Sequence, residues 1–155
     1  MDRDDVAGLS AELRAQLRLF ARVYQRLQDR LALGLDNPAQ LDSVAYQIHN
    51  LYCAAEDLLK LVAKAFENRI GSGGDWHRTL LLRMSEPVPG LRPALLSEEL
   101  FDAMNRLRGF RHFVRHAYLT EIDPAQLRTN LNLATSLAEA LPKAVQRFLS
   151  QLRAE

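Results

Sequence analysis

Residues 37–66 read NPAQLDSVAYQIHNLYCAAEDLLKLVAKAF, and their pattern decides the architecture. Leu41, Val44, Ile48, Leu51, Tyr52, Ala55, Leu58, Leu59, Val62 and Phe66 recur at helical spacing, with no period-2 alternation. The apolar stripe is wider than a surface helix needs, so this segment is predicted to be a helix at the centre of the core. Asn37 is a good N-cap, and Pro38 suits the first helical position, where a missing N–H costs nothing. Gly71-Ser72-Gly73-Gly74 is the breaker beyond it.

Upstream, the spacing predicts a helix from near Ser10 to about Leu35. Leu13, Leu17, Phe20, Tyr24, Leu27 and Leu31 form its apolar face. Arg14, Arg18, Arg22, Arg26 and Arg30 recur at every fourth residue and read as a solvated face. Downstream, a short helix is expected from Asp75, as its cap, to about Met84. Pro87, Pro89 and Pro93 then exclude helix and predict an extended surface segment. Ser97, followed by Glu98 and Glu99, opens a fourth helix expected to reach Leu119. Asp123-Pro124 repeats the cap-and-proline start for a last helix reaching about Leu152, with a kink expected at Pro142. Four long helices and one short one predict an all-α antiparallel bundle, read as one domain over residues 1–155 with its core at about 10–152.

The chain has 155 residues, 48% hydrophobic, with 20 Lys+Arg against 19 Asp+Glu. A formal net charge of +1 removes any argument from bulk charge, so a ligand must be held by a local cluster. A single cysteine, Cys53, excludes an internal disulfide framework and a cysteine-rich zinc site. The start Met1-Asp2-Arg3-Asp4-Asp5 is acidic where a secretory signal would be basic and then apolar. No apolar run approaches the roughly 18 residues of a membrane span, and a cytoplasmic protein is expected.

The fourth helix is where the sequence stops being generic. Residues 104–119 read MNRLRGFRHFVRHAYL, with Arg106, Arg108, Arg111, Arg115, His112 and His116 and no acid. At about 100° per residue, Leu100, Leu107, Val114 and Tyr118 share one line, and Arg108, His112, Arg115 and His116 fill an adjoining sector. Arg111 sits at the seam, where it needs an acid, a phosphate or an interface edge. Arginine offers phosphate oxygens a planar fork and stays charged, while histidine exchanges protons near neutrality. The pair suits phosphodiester cleavage using the RNA's own 2′-OH; a basic face whose histidines merely line the surface is the alternative from composition. Along an unbroken helix Arg111 and His116 are about 140° apart. Their convergence on one phosphate needs the long Arg side chain to reach around, or a second subunit.

Arg111-His112-Phe113-Val114-Arg115-His116-Ala117-Tyr118 matches R-x4-H-x-Y and resembles the signature of the HEPN superfamily, in particular HepT-like toxins of HEPN–MNT toxin–antitoxin pairs. The layout of the helices, Asp75-Trp76-His77-Arg78 and Pro89-Gly90-Leu91-Arg92-Pro93 look like that family too, over about residues 10–152. The resemblance implies a metal-independent endoribonuclease, homodimeric, with both motifs facing one cleft. Carried over, Arg111 orients the scissile phosphate and His116 is the general acid/base. His112 helps position the phosphate, Arg108 and Arg115 support its binding, and Tyr118 is the AMP acceptor for an MNT-type nucleotidyltransferase antitoxin. A half-buried tyrosine with a wet hydroxyl equally explains Tyr118. The chain does not read as the nucleotidyltransferase itself, because Gly71-Ser72 is followed by Leu82-Arg83-Met84-Ser85 without a carboxylate pair.

Other chemistry is less supported. His112 and His116 lie at i, i+4, but no third ligand is evident and the arginines repel a cation, so neither metal nor cofactor is expected. His49 reads as a boundary residue, and His77 as part of a cap network with Asp75. Glu56-Asp57 reads as a solvated pair rather than a partner of Arg111 or Arg115. Cys53 reads as a small buried residue, and Trp76 as an anchor of the short helix or a partner contact. If the fourth helix pairs across a two-fold axis, Phe110, Phe113 and Val114 are the expected apolar contacts. The rival to a ribonuclease is a non-enzymatic helical module of the same fold, binding nucleotide, RNA or a protein partner.

Overall fold

The computed structural model describes residues 1–67 and 73–154. Five α-helices follow in order: α1 Arg3–Leu31, α2 Pro38–Phe66, α3 Trp76–Met84, α4 Glu98–Arg115 and α5 Pro124–Ala154, with a 3₁₀ turn at Ala117–Leu119. No strand occurs among the described residues; one isolated antiparallel bridge pairs Val88 with Arg92. The all-α bundle expected from periodicity is the one observed. No helix among the described residues is long and apolar enough to cross a membrane. Gly71-Ser72 of the expected breaker lies outside the described residues.

Helix α2 packs against every other α-helix, whereas α1 and α4 do not touch and lie across α2 and α5 from one another. Leu51, Ala55, Leu58, Leu59 and Val62 are fully buried on it, facing Leu13, Phe20 and Leu27 of α1 and Leu137, Leu141 and Phe148 of α5. Burial of one such leucine contributes about 1.5–3 kcal/mol, so this stripe dominates the favourable side of folding.

The helix starts obey their caps. Asn37 Oδ1 accepts the Gln40 N–H at 2.9 Å, and Gln40 Oε1 accepts the Asp36 N–H at 2.7 Å, a near-reciprocal box. Gly34, at φ 102°, makes the turn before it; a Cβ there would lie 2.8 Å from Asp36 Oδ2. Helix α1 begins earlier than its apolar stripe implies, because Asp2 Oδ1 accepts the Asp5 N–H at 2.8 Å and buries Val6 and Leu9 in the extra turns. Its arginine row is exposed throughout, as read. Asp75 precedes α3 but makes no side-chain cap hydrogen bond. Helix α5 runs through Pro142 to Ala154 without interruption.

The proline-rich connection is pinned by one buried arginine. Arg92 is 3% exposed; its guanidinium donates to the Glu67 carboxylate and to the carbonyls of Arg83, Glu86 and Pro93, the last three at 3.0, 2.9 and 3.1 Å. A segment without regular structure thereby satisfies three backbone acceptors at once. Replacing Arg92 with Ala strands those carbonyls and takes from the largely buried Glu67 carboxylate one of its two arginine partners, the other being Arg83. Urea denaturation should show a loss of about 3 kcal/mol for Arg92→Ala, and almost none for the exposed Arg78→Ala.

Candidate active site

The basic helix stops sooner than its sequence implies. Helix α4 ends at Arg115, and His116 takes the C-cap position at φ −112° and ψ 11°, its N–H donating to Phe113 O at 3.1 Å. Residues 117–119 tighten into the 3₁₀ turn. The cause lies downstream: Ile122 is buried in the core, and the Asp123 carboxylate caps α5 through the Gln126 N–H at 2.9 Å. The chain must therefore turn back within a few residues of Arg115.

That early end redirects the motif. Projected along an unbroken helix, Tyr118 falls on the apolar line; in the structure its side chain is 81% exposed. His112 and His116 are also exposed, their ring centroids 4.6 Å apart, with Arg115 exposed beside them in sequence. The favourable placing of Arg115 and His112 in the last turn of α4 complements the negative end of the helix dipole. Beside this end, Val114 and Ala117 face Leu41, Ala45 and Tyr46 of α2 across a cleft of about 400 Å³.

Arg111 lies deeper than these groups. It is half-buried against α2, its charge acts on His49, Tyr52 and Cys53, and its Nε is buried without a hydrogen-bond partner among the described residues. A buried donor left open in this way is rare in folded proteins and is a natural place for an acceptor oxygen. Arg108 is held by its own helix, Nε and Nη2 donating to Asn105 Oδ1 at 3.2 and 3.0 Å. The structure thus gathers His112, Arg115 and His116 at the surface and sets Arg108 and Arg111 against α2. No hydrogen bond or ring contact joins Arg111 to His116 among the described residues. Phe110, expected at a contact between copies, is 3% exposed in the protomer's own core and stacks on Phe113 with centroids 6.3 Å apart. Phe113 and Val114 remain half-buried.

The surface that Arg111 meets was not apparent from the sequence. His49, Tyr52, Cys53 and Glu56 lie at i, i+3, i+4 and i+7 and form a stripe of polar groups along α2. Glu56 is 3% exposed, not solvated as its neighbour Asp57 suggested. It accepts the Tyr52 hydroxyl at 2.8 Å and contacts His77 Nδ1 at 2.7 Å. His77 therefore reaches across to α2 rather than joining a cap network with Asp75. Its ring stacks on Trp76 with centroids 3.6 Å apart, and Lys60 Nζ covers Trp76 at 4.5 Å from the ring centre.

Protonation follows from this packing. Burial, and then the Glu56 carboxylate, hold the Tyr52 phenol well above its usual range, so it stays a donor. Burial raises the Cys53 thiol although Arg111 opposes the shift, which leaves it a poor nucleophile. His49, whose Nε2 is 3.7 Å from Cys53 Sγ, is lowered by burial first and then by Arg111 and Arg115, with Glu56 opposing. Among the described residues no group of three His, Cys, Asp or Glu is arranged to hold a metal ion.

The lowered His49 has a consequence for stability. The unfolded chain takes up its proton at higher pH than the folded one. The stability linked to His49 is therefore complete above the ordinary histidine pKa and is lost as pH falls through the lowered one. Between about pH 7.5 and about pH 5, the melting temperature of the natural protein should fall further than that of His49→Gln.

Comparison with known proteins bears on this arrangement. The model of a family described as "HepT-like protein" matches residues 43–152, which span α2 to α5. No curated protein and no solved structure matches the chain.

Proposed function

With that match covering more than half of its length, the chain belongs to the HepT-like family of the HEPN superfamily, and we propose that it is an endoribonuclease toxin of a toxin–antitoxin pair. The observation that carries this reading is the split of the R-x4-H-x-Y segment at the end of α4. A histidine pair stands free in solvent while an arginine with an open buried donor stays at the α2 surface.

In the proposed reaction the 2′-oxygen of RNA attacks the adjacent phosphorus and the bond to the 5′-oxygen of the next nucleotide breaks. The products are a 2′,3′-cyclic phosphate and a free 5′-hydroxyl. His116 exchanges the proton, either taking it from the 2′-hydroxyl or giving it to the leaving 5′-oxygen. Arg111 binds a non-bridging phosphate oxygen and offsets the charge that grows there, so no metal is needed. Arg115 and His112 hold the flanking phosphate, and Arg108 adds positive potential from within. A homodimer completes the site: the arginine of one protomer and the histidine of the other can meet on one phosphate, which the separation of Arg111 from His116 within one chain favours.

The partner in this reading is an MNT-type nucleotidyltransferase antitoxin that adds AMP to Tyr118. An 81% exposed hydroxyl two residues from His116 is accessible to such an enzyme, and a bulky anion there would repel RNA. A non-enzymatic RNA-binding module draws on the same absence of contact between Arg111 and His116, and product chemistry separates the two.

Incubated with mixed RNA in EDTA, the unmodified protein should yield cyclic-phosphate ends. His116→Ala and Arg111→Ala should each lose about a hundredfold or more of that rate with the melting curve retained. Intact RNA with the natural protein, its mass showing no added AMP, would move the assignment to the binding module. Co-expressed with its nucleotidyltransferase partner, the natural protein should gain the mass of AMP and Tyr118→Phe should not; a gain in the variant would place the acceptor elsewhere.

A further inference from the structure

Helix α1 carries a feature that the site on α4 does not use. Arg14, Arg18, Arg22, Arg26 and Arg30 are all exposed, and among the described residues no ion pair reaches any of them. The single acid between Arg14 and Arg30 is Asp29, whose carboxylate accepts the Gln25 amide at 3.0 Å. Residues 14–30 therefore hold a net charge of +4 in a chain of net charge +1, which leaves −3 for everything else. The molecule is nearly neutral only as a sum; residues 14–30 are one of its two strongly basic stretches, the other being residues 104–119 of the site already described.

The spacing has a physical meaning. Four residues of α-helix advance about 6 Å and turn about 40°, so the five guanidinium groups follow a gently winding ridge some 24 Å long. A row of planar, permanently charged forks at regular steps matches a polymer that carries one phosphate per repeat. Exposed apolar surface between the arginines is confined to Leu19 and small alanines, too little for a face that inserts into lipid.

We infer that the outer ridge of α1 is a second RNA-binding surface, which engages the phosphates of a single strand at several successive nucleotides. It rests on the reading that RNA is the substrate. Because α1 and α4 do not touch and face different sides of the bundle, the ridge contributes no group to bond cleavage. Its role is capture: long RNA is retained by α1 while another part of the strand enters the α4 site, so the ridge sets affinity for long RNA.

The test uses a fluorescent 2′-O-methyl oligouridylate of about 20 nucleotides, which cannot undergo 2′-OH attack, and follows its anisotropy across a salt titration. The triple variant R18Q/R22Q/R26Q should bind about tenfold or more weakly, and the slope of log affinity against log salt should fall by about 2. R128Q/K143Q/R147Q removes the same charge from exposed positions on α5 and should change both far less. Equal losses in the two triple variants, or none in the first, would overturn the proposal. So would retained RNA binding with loss of binding to phosphatidylserine vesicles, since the ridge would then serve a membrane. Failure of the nuclease reading is seen separately, as intact RNA with the natural protein, because the modified oligonucleotide reports binding whether or not cleavage occurs.

Discussion

A helix with apolar side chains over most of its circumference must be surrounded before it can exist in water. Helix α2 is in that position. Its burial forces α1, α3, α4 and α5 around it, and its ends dictate where their connections lie. The capped turn at residues 32–37 lays α1 along one side, and the arginine-pinned proline segment brings α4 to the other. The basic end of α4 is therefore held by the same packing that hides the core of α2.

The same constraint explains why the stripe of His49, Tyr52, Cys53 and Glu56 on α2 is so tightly organised. Tyr52, Glu56 and His77 satisfy one another inside the bundle, because an unpaired carboxylate at that depth would be expensive. Arg111 approaches this stripe and keeps one donor open, while His112 and His116 leave the packed surface altogether. The groups suited to moving protons are exposed to solvent, and the group suited to holding a phosphate is half-buried against α2. This division follows from where the helix ends, one residue before His116.

Much of this was legible in the residues. The helix-period stripes, Asn37-Pro38, Ser97 and Asp123-Pro124 located the elements, because apolar spacing and cap chemistry are local properties. The R-x4-H-x-Y stretch alone singles out the end of α4. Other features were not readable. Glu56 looks like any acid beside Asp57, and only its placement against His77, 21 residues on, makes it interior. Phe110 and Phe113 look alike, yet one fills the core and the other stays half-buried. The exit of Tyr118 depends on Ile122 being drawn inward, which no window centred on the motif contains.

By itself the sequence determined the all-α class, the order of the helices, the central place of α2 and the basic, acid-free character of residues 104–119, since each is set by neighbours within a turn or two. Tertiary structure alone decided where α4 stops, which way Arg111 and Tyr118 face, and that Glu56 and Arg92 are interior. Those outcomes turn on competition for burial between segments distant in the chain. A buried charge is tolerated only where a partner from another element meets it.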